Sequence, residues 1–127
     1  MTFLTLEQLL ELHALVISQT GGANGLRDLG RLESVIASQS QNVFGEELYP
    51  SLYEKAAALI RGIIADHPFV DGNKRTGILA GLTFLEVNKV NFKAKKGGLE
   101  DFAVEAAVKK LDIASIAAWL QKHSAKS

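Results

Sequence analysis

The segment from Leu52 to Ile64 constrains the possible folds more than any other part of the chain. Its helical spacing places hydrophobic side chains on most faces, at Leu52, Tyr53, Ala56, Leu59, Ile60, Ile63 and Ile64. Because such a helix is stable only when other elements surround it, the pattern predicts the central helix of a helical core. Ser51 with Glu54 forms a capping-box start, and Pro68 ends the helix because the residue before a proline is disfavoured in the α region.

Amphipathic patterns before this segment predict two more helices. Thr5 and Gln8 form another capping box, and the helix that they open ends at Gly21. His13 lies on the apolar face of this helix and is expected to be packed. Asp28 is a suitable N-cap for a second helix, whose expected buried residues are Leu29, Leu32, Val35 and Ile36.

The other parts of the chain are assigned from weaker patterns. Gln39 to Pro50 is expected to be a loop, and a helix is expected to start near Asn73. Val90–Phe92 is a candidate short extended piece. Two more helices are predicted, over Leu99–Lys110 and, with Asp112 as N-cap, over Ile113–His123.

These patterns predict an all-α fold, a compact single-domain bundle of about six helices. The domain is expected to span residues 1–127, with a disordered tail over 124–127. Hydrophobic residues make up 47% of the 127 residues, which is enough for one core. No run approaches the ~18 apolar residues of a membrane span, and there is no cysteine, so we expect a cytoplasmic protein without disulfides.

Charge is unevenly distributed although the formal net charge is zero. Residues 1–50 hold six acidic and two basic side chains, whereas the remainder holds twelve basic and eight acidic ones. The basic half is compatible with an acidic partner, but an ordinary solvated lysine surface is the favoured interpretation. Aromatic residues are only 7% and do not alternate with basic ones, so direct nucleic-acid binding is not predicted.

The eleven residues HPFVDGNKRTG, from His67 to Gly77, carry most of the functional information. They place a histidine, a carboxylate, an amide, a lysine and an arginine at the turn between two helices. Taken singly, each has a structural explanation, such as a helix-end histidine, an Asp-Gly turn or an N-capping Asn73. Lys74 and Arg75 are less easily explained, because cations are unfavourable at a helix N-terminus unless an anion compensates them.

The set has the groups that phosphoryl or nucleotidyl transfer needs. A helix N-terminus offers free N–H groups to phosphate, and Gly72 is expected to let an anion approach the backbone. Lys74 and Arg75 add positive charge, and Asp71 is an oxygen ligand suited to Mg²⁺. His67 is suited to accept the proton of an attacking hydroxyl near neutral pH.

The motif resembles the signature of the Fic/Doc superfamily, and the lysine after the asparagine resembles the death-on-curing (Doc) branch. The similarity extends over residues 21–38, 44–77 and 111–123. The resemblance implies a Fic/Doc-like helical fold with the active-site loop between two central helices. It also implies the toxin of a type II toxin–antitoxin module, using ATP and Mg²⁺ to modify a hydroxyl of a protein in translation, similar to elongation factor Tu.

Residue roles follow from the resemblance by position. His67, Asp71 and Arg75 match catalytic residues, with His67 as general base and Asp71 as the Mg²⁺ residue. Gly72, Asn73, Lys74 and Arg75 match the nucleotide phosphate site. Phe69 matches a hydrophobic anchor of the loop.

Two departures from the adenylyltransferase branch favour transfer of the γ-phosphate over transfer of AMP. Adenylyltransferases have a second glycine where this chain has Lys74, and a further arginine where it has Ile78. A lysine side chain crowds a site where the triphosphate must lie against bare backbone. Protein adenylylation on the same fold stays an alternative, and a non-catalytic module that binds a nucleotide or partner is a second one.

Control by a separate polypeptide is the expected form of regulation. Self-inhibited Fic proteins carry a helix in which a glutamate precedes glycine or asparagine, and no glutamate of this chain does so. The resemblance implies a cognate antitoxin instead, and a helix-in-groove contact is the expected binding mode.

Overall fold

The computed structural model describes residues 1–93 and 112–126, and this part of the protein is mostly helical. The helices are α1 (Leu6–Thr20), α2 (Leu29–Ala37), α3 (Leu52–Asp66), α4 (Asn73–Val87) and α5 (Ile113–Lys122). A short 3₁₀ helix, Ser38–Ser40, follows α2. The predicted all-α fold is confirmed, whereas the helix predicted over Leu99–Lys110 lies outside the described residues.

Helix α3 is the centre of the core, as its apolar pattern predicts. It packs mainly against α4 and α5 and also against α2. Ala56, Leu59, Ile60 and Ile63 are completely buried. Ser51 caps the helix, its hydroxyl accepting the Glu54 N–H at 3.0 Å. The helix that leads to the motif is therefore fixed on several sides.

Helices α3 and α4 approach closely because glycines of α4 face α3. A Cβ added at Gly81 would lie 2.5 Å from Ile60 Cδ1, which is closer than atoms can pack. At Gly77 it would lie 3.1 Å from the Ile60 carbonyl oxygen. A side chain at either position would push the helices apart, so the glycines set the distance between the two elements that carry the site.

The N-terminal helices begin where the sequence predicts. The Thr5 capping box forms with Gln8, and the Asp28 carboxylate accepts the Arg31 N–H. Burial of α2 differs from the prediction: Leu32 and Val35 are buried, Ile36 is half-buried, and Leu29 is 46% exposed. Leu29 is the first residue of the helix.

Two small antiparallel sheets were only partly foreseen. The region predicted as a loop contains a hairpin of β1 (Asn42–Val43) and β2 (Glu46–Glu47). The extended piece Val90–Phe92 is confirmed as β3. It pairs with β4 (Ser124–Lys126), so residues expected to be a disordered tail are instead strand residues. The tail finds backbone hydrogen-bond partners at the edge of β3, which local composition does not indicate.

Candidate active site

Residues 67–72 join α3 to α4 and carry the predicted histidine and aspartate. His67 caps α3 in a left-handed conformation, with φ 48°, and its N–H donates to the Ile63 carbonyl at 3.2 Å. Gly72 caps α4, also left-handed, with φ 76°. These two turns direct the C-terminus of α3 and the N-terminus of α4 toward the same short loop.

Two arginines bind the carbonyl groups at the end of α3. Arg27 donates to the His67 carbonyl at 2.8 Å and to the Asp66 carbonyl at 3.0 Å. Arg31 donates to the same Asp66 carbonyl at 2.9 Å. Positive charge is favourable at a helix C-terminus, where carbonyls lack partners. The backbone of His67 is therefore held by contacts outside its own helix.

Residues 25–28 pair with the loop along most of its length. The Pro68 carbonyl accepts the N–H groups of Arg27 and Asp28, at 2.7 and 2.9 Å. The Val70 N–H donates to the Gly25 carbonyl at 3.0 Å, and Leu26 forms an isolated β-bridge with Phe69. Because these bonds satisfy loop backbone that α3 and α4 cannot reach, the site is a braced surface rather than a free turn.

Phe69 and Asn73 close the loop from within. Phe69 is 1% exposed, which confirms its predicted role as an anchor. The Asn73 side chain accepts the Phe69 N–H at 3.0 Å and donates to the Phe69 carbonyl at 2.9 Å. Asn73 is not the N-cap of α4; Gly72 has that position. Its side-chain amide is therefore committed to the loop.

The Asn73 amide also contacts the candidate base. Its Nδ2 lies 3.4 Å from His67 Nδ1, to which it can donate only when that ring nitrogen is unprotonated. A hydrogen bond of this length is weak, so it restrains the ring only loosely. The His67 side chain is exposed and accessible to a hydroxyl substrate.

The carboxylate of Asp71 is exposed and oriented by backbone donors. Oδ1 accepts the Gly72 N–H at 2.9 Å, and Oδ2 accepts the Ala23 N–H at 3.3 Å. A Cβ at Gly22 would lie 2.6 Å from Oδ2, so the glycine there leaves room for the carboxylate. Each oxygen keeps acceptor capacity for a cation, because a carboxylate offers about four lone-pair sites.

The N-terminus of α4 fits a phosphate group. No side chain caps it, although α1, α2, α3 and α5 all have a side-chain cap. Lys74 and Arg75 are exposed in its first turn and form no ion pair within residues 1–93 and 112–126. Uncapped N–H groups beside two unpaired cations are a favourable environment for an anion.

The structure changes the explanation for Gly72. We expected its missing side chain to admit an anion. A Cβ there would instead lie 3.1 Å from Ile17 Cδ1 and 3.4 Å from Val16 Cγ1, so this side of the glycine packs against α1. This packing and the left-handed φ of Gly72 together explain why a glycine is required there. Any phosphate contact therefore uses the backbone N–H groups of the residues after Gly72.

The residues present also fit a nucleotide-bound Mg²⁺. The ion commonly takes one or two protein carboxylates, and water and phosphate oxygens complete its coordination. Asp71 is such a carboxylate beside the α4 N-terminus. In the described ranges no group of three or more His, Cys, Asp or Glu side chains is placed to hold a metal by protein ligands alone.

Sequence reasoning missed the residues that support the site from outside the motif. Arg27 was not singled out, and its role depends on a tertiary contact forty residues away in sequence. Asp28 and Arg31 form an ion pair at 3.3 Å, and Arg31 also donates to the Asp66 carbonyl at the end of α3. His13 is packed, as expected, but it also contacts Asp71.

Fold and site together define a class of helical proteins in which an uncapped helix N-terminus, a carboxylate and a histidine share one braced loop. A profile of the Fic/DOC family matches residues 3–85. The chain belongs to this family, which confirms the resemblance seen in the motif.

Two relatives carry the Doc name. The chain is 40% identical over 107 residues to Toxin Doc of Mycolicibacterium smegmatis, covering 83% of this chain and 82% of that protein. It is 35% identical over 117 residues to Protein kinase doc of Escherichia phage P1, covering 91% of this chain and 90% of that protein.

Among the described residues, no helix is both long enough and apolar enough to cross a bilayer.

Proposed function

We propose that the chain is the toxin of a type II toxin–antitoxin module and transfers the γ-phosphate of ATP to a protein hydroxyl. The proposed target is a protein of the translation machinery similar to elongation factor Tu, and the proposed location is the cytoplasm. The observation that carries this proposal is the uncapped N-terminus of α4, with Lys74 and Arg75 beside it and His67 and Asp71 on the adjoining loop. The name of the phage relative, Protein kinase doc, supports the reaction type.

Two loop residues and the first turn of α4 have defined tasks in this mechanism. His67 accepts the proton as the target hydroxyl oxygen bonds to the γ-phosphorus and the bond to the β-phosphate oxygen breaks. The backbone N–H groups of residues 73–75, with the Lys74 ammonium and the Arg75 guanidinium, hold the phosphate oxygens. Asp71 would hold Mg²⁺, which when bound would neutralise charge on the phosphate oxygens.

Lys74 favours phosphate transfer over AMP transfer. Lys74 is exposed in the first turn of α4, at the position where an adenylyltransferase presents glycine. A triphosphate that avoids this side chain is oriented differently, with the γ-phosphate presented to the hydroxyl.

An antitoxin polypeptide that binds in a groove of the helical surface is the proposed regulator.

A cell-free translation assay tests the proposal. Purified protein is expected to stop translation in the presence of ATP and Mg²⁺, whereas His67→Ala is expected to leave it unaffected. His123→Ala is the matched control, because His123 lies in an aromatic cluster with Phe92 and Trp119 at the end of α5. Normal translation with the folded parent, or equal arrest by parent and His67→Ala, would contradict the proposal.

A further inference from the structure

His13 is a buried polar residue that the mechanism above does not use. It lies in the middle of α1 and is 3% exposed. Its Nε2 is 2.8 Å from the Asp71 carbonyl oxygen, and because a carbonyl can only accept, Nε2 carries the proton and donates. Its ring stacks on Phe69, with centroids 3.9 Å apart and planes 5° from parallel. His13 therefore links helix α1 to the loop by both a hydrogen bond and a ring contact.

We propose that His13 is a positioning residue that fixes the peptide between Asp71 and Gly72 and thereby directs the Asp71 carboxylate. The oxygen of this peptide accepts from His13. The N–H of the same peptide donates to Asp71 Oδ1 at 2.9 Å. A rotation of the peptide plane would break both bonds together, so the restraint at its oxygen is also a restraint on the carboxylate.

An external restraint is needed at this point because Gly72 is conformationally free. Its φ of 76° is accessible to glycine at little cost, but so are many other conformations. A Cβ added at Gly72 would lie 3.9 Å from His13 Cδ2, so the His13 ring also lies beside this glycine. The hydrogen bond from His13 and the packing of its ring therefore restrain Asp71 and Gly72. These two residues must be ordered if the carboxylate is to bind a cation.

This inference rests on the proposed function only where it takes Asp71 as the Mg²⁺ ligand. Groups that orient a metal ligand commonly change metal affinity by about tenfold or more when they are removed. We therefore expect loss of the His13 donor to weaken the apparent Mg²⁺ affinity about tenfold, with little change in KM for the protein target.

Two variants separate the donor from the packing. His13→Phe keeps a ring against Phe69 but cannot donate, whereas His13→Gln places an amide donor at similar reach. His13→Leu is a second donor-free variant if phenylalanine fits poorly. Melting temperature and circular dichroism select the variants that are folded.

The first readout needs no catalysis. Hydrogen exchange at the Gly72 amide, followed by NMR in the nucleotide-free protein, should accelerate in His13→Phe and stay near the parent rate in His13→Gln. Amides in the middle of α4 serve as the internal reference. The second readout is Mg²⁺ binding in the presence of a non-hydrolysable ATP analogue, in which the Gln variant should recover most of the affinity that the Phe variant loses.

Unchanged Gly72 exchange in a folded donor-free variant overturns the inference, and so does faster exchange with unchanged Mg²⁺ affinity. Asp71→Ala is measured in parallel because it tests the proposed function separately. If Asp71→Ala binds Mg²⁺ and nucleotide as the parent does, the metal assignment fails whatever His13 does.

Discussion

A buried lysine provides the sharpest stability prediction. Lys55 is completely buried, and its ammonium donates to the Gln39 carbonyl at 2.7 Å and to Glu47 Oε1 at 3.1 Å. Glu47 lies on the β1–β2 hairpin, and its side chain is 47% exposed. We predict that Glu47→Gln destabilises the fold, because it leaves a buried charge without a counter-ion.

The magnitude follows from the exposure of the two partners. Breaking a fully buried ion pair costs about 3–5 kcal/mol, and an exposed pair contributes about 0.2–1 kcal/mol. Since only the glutamate is accessible to water, we expect about 2 kcal/mol. In a Lys55→Met background the same change should cost almost nothing, because no buried charge remains to be compensated.

A double-mutant cycle measured by urea denaturation tests this reasoning. Glu46→Gln is the matched control, since Glu46 lies on the same hairpin and forms no ion pair with another described residue. It should be close to neutral in both backgrounds. A coupling energy between Lys55 and Glu47 below about 0.5 kcal/mol would refute the account, because non-interacting sites already add within that limit.

Three further predictions concern packing, capping and the loop. Gly81→Ala should cost about 1–3 kcal/mol in denaturant unfolding, because its Cβ would overlap Ile60; a neutral result would mean that α3 and α4 are less close. The hydrogen bond from the Ser115 backbone lowers the pKa of Asp112 below its ordinary value of 3.8. The ionised carboxylate therefore stabilises α5 fully at pH values above 3.8, and this stabilisation is lost as the pH falls through the lowered pKa. The Tm difference between parent and Asp112→Ala should therefore shrink in acid, and a constant difference would contradict this. Asn73→Ala removes both bonds that close the loop and should cost about 1–3 kcal/mol, with faster loop hydrogen exchange.

Local chemistry was enough to predict where the described helices begin. Thr5, Asp28 and Ser51 accept first-turn N–H groups, as their sequence positions predict, and the apolar α3 is central because it could be stable nowhere else. The β1–β2 hairpin has strands of only two residues, which are too short to give a periodic pattern. The partner of β3 lies far along the chain in β4, so local sequence does not indicate that pairing.

The candidate site divides in the same way. The residues within the motif could be found from the sequence because their types and spacing suggest phosphate chemistry. The contacts that hold the motif in place, from Arg27 and His13, are tertiary and have no local signal. The sequence indicates Gly72 as part of a phosphate site, whereas the structure supplies a different reason for a glycine there, which is packing against α1.

The most direct test of the central claim is the origin of the transferred group. Purified protein, Mg²⁺ and a bacterial lysate are incubated with ATP labelled at either the γ- or the α-phosphate, in parallel with His67→Ala and the control His123→Ala. We predict that a protein acquires label from the γ-position alone, that His67→Ala abolishes it and that His123→Ala retains it. Label from the α-position would mean AMP transfer despite Lys74, and labelling that survives in His67→Ala would contradict the assigned base.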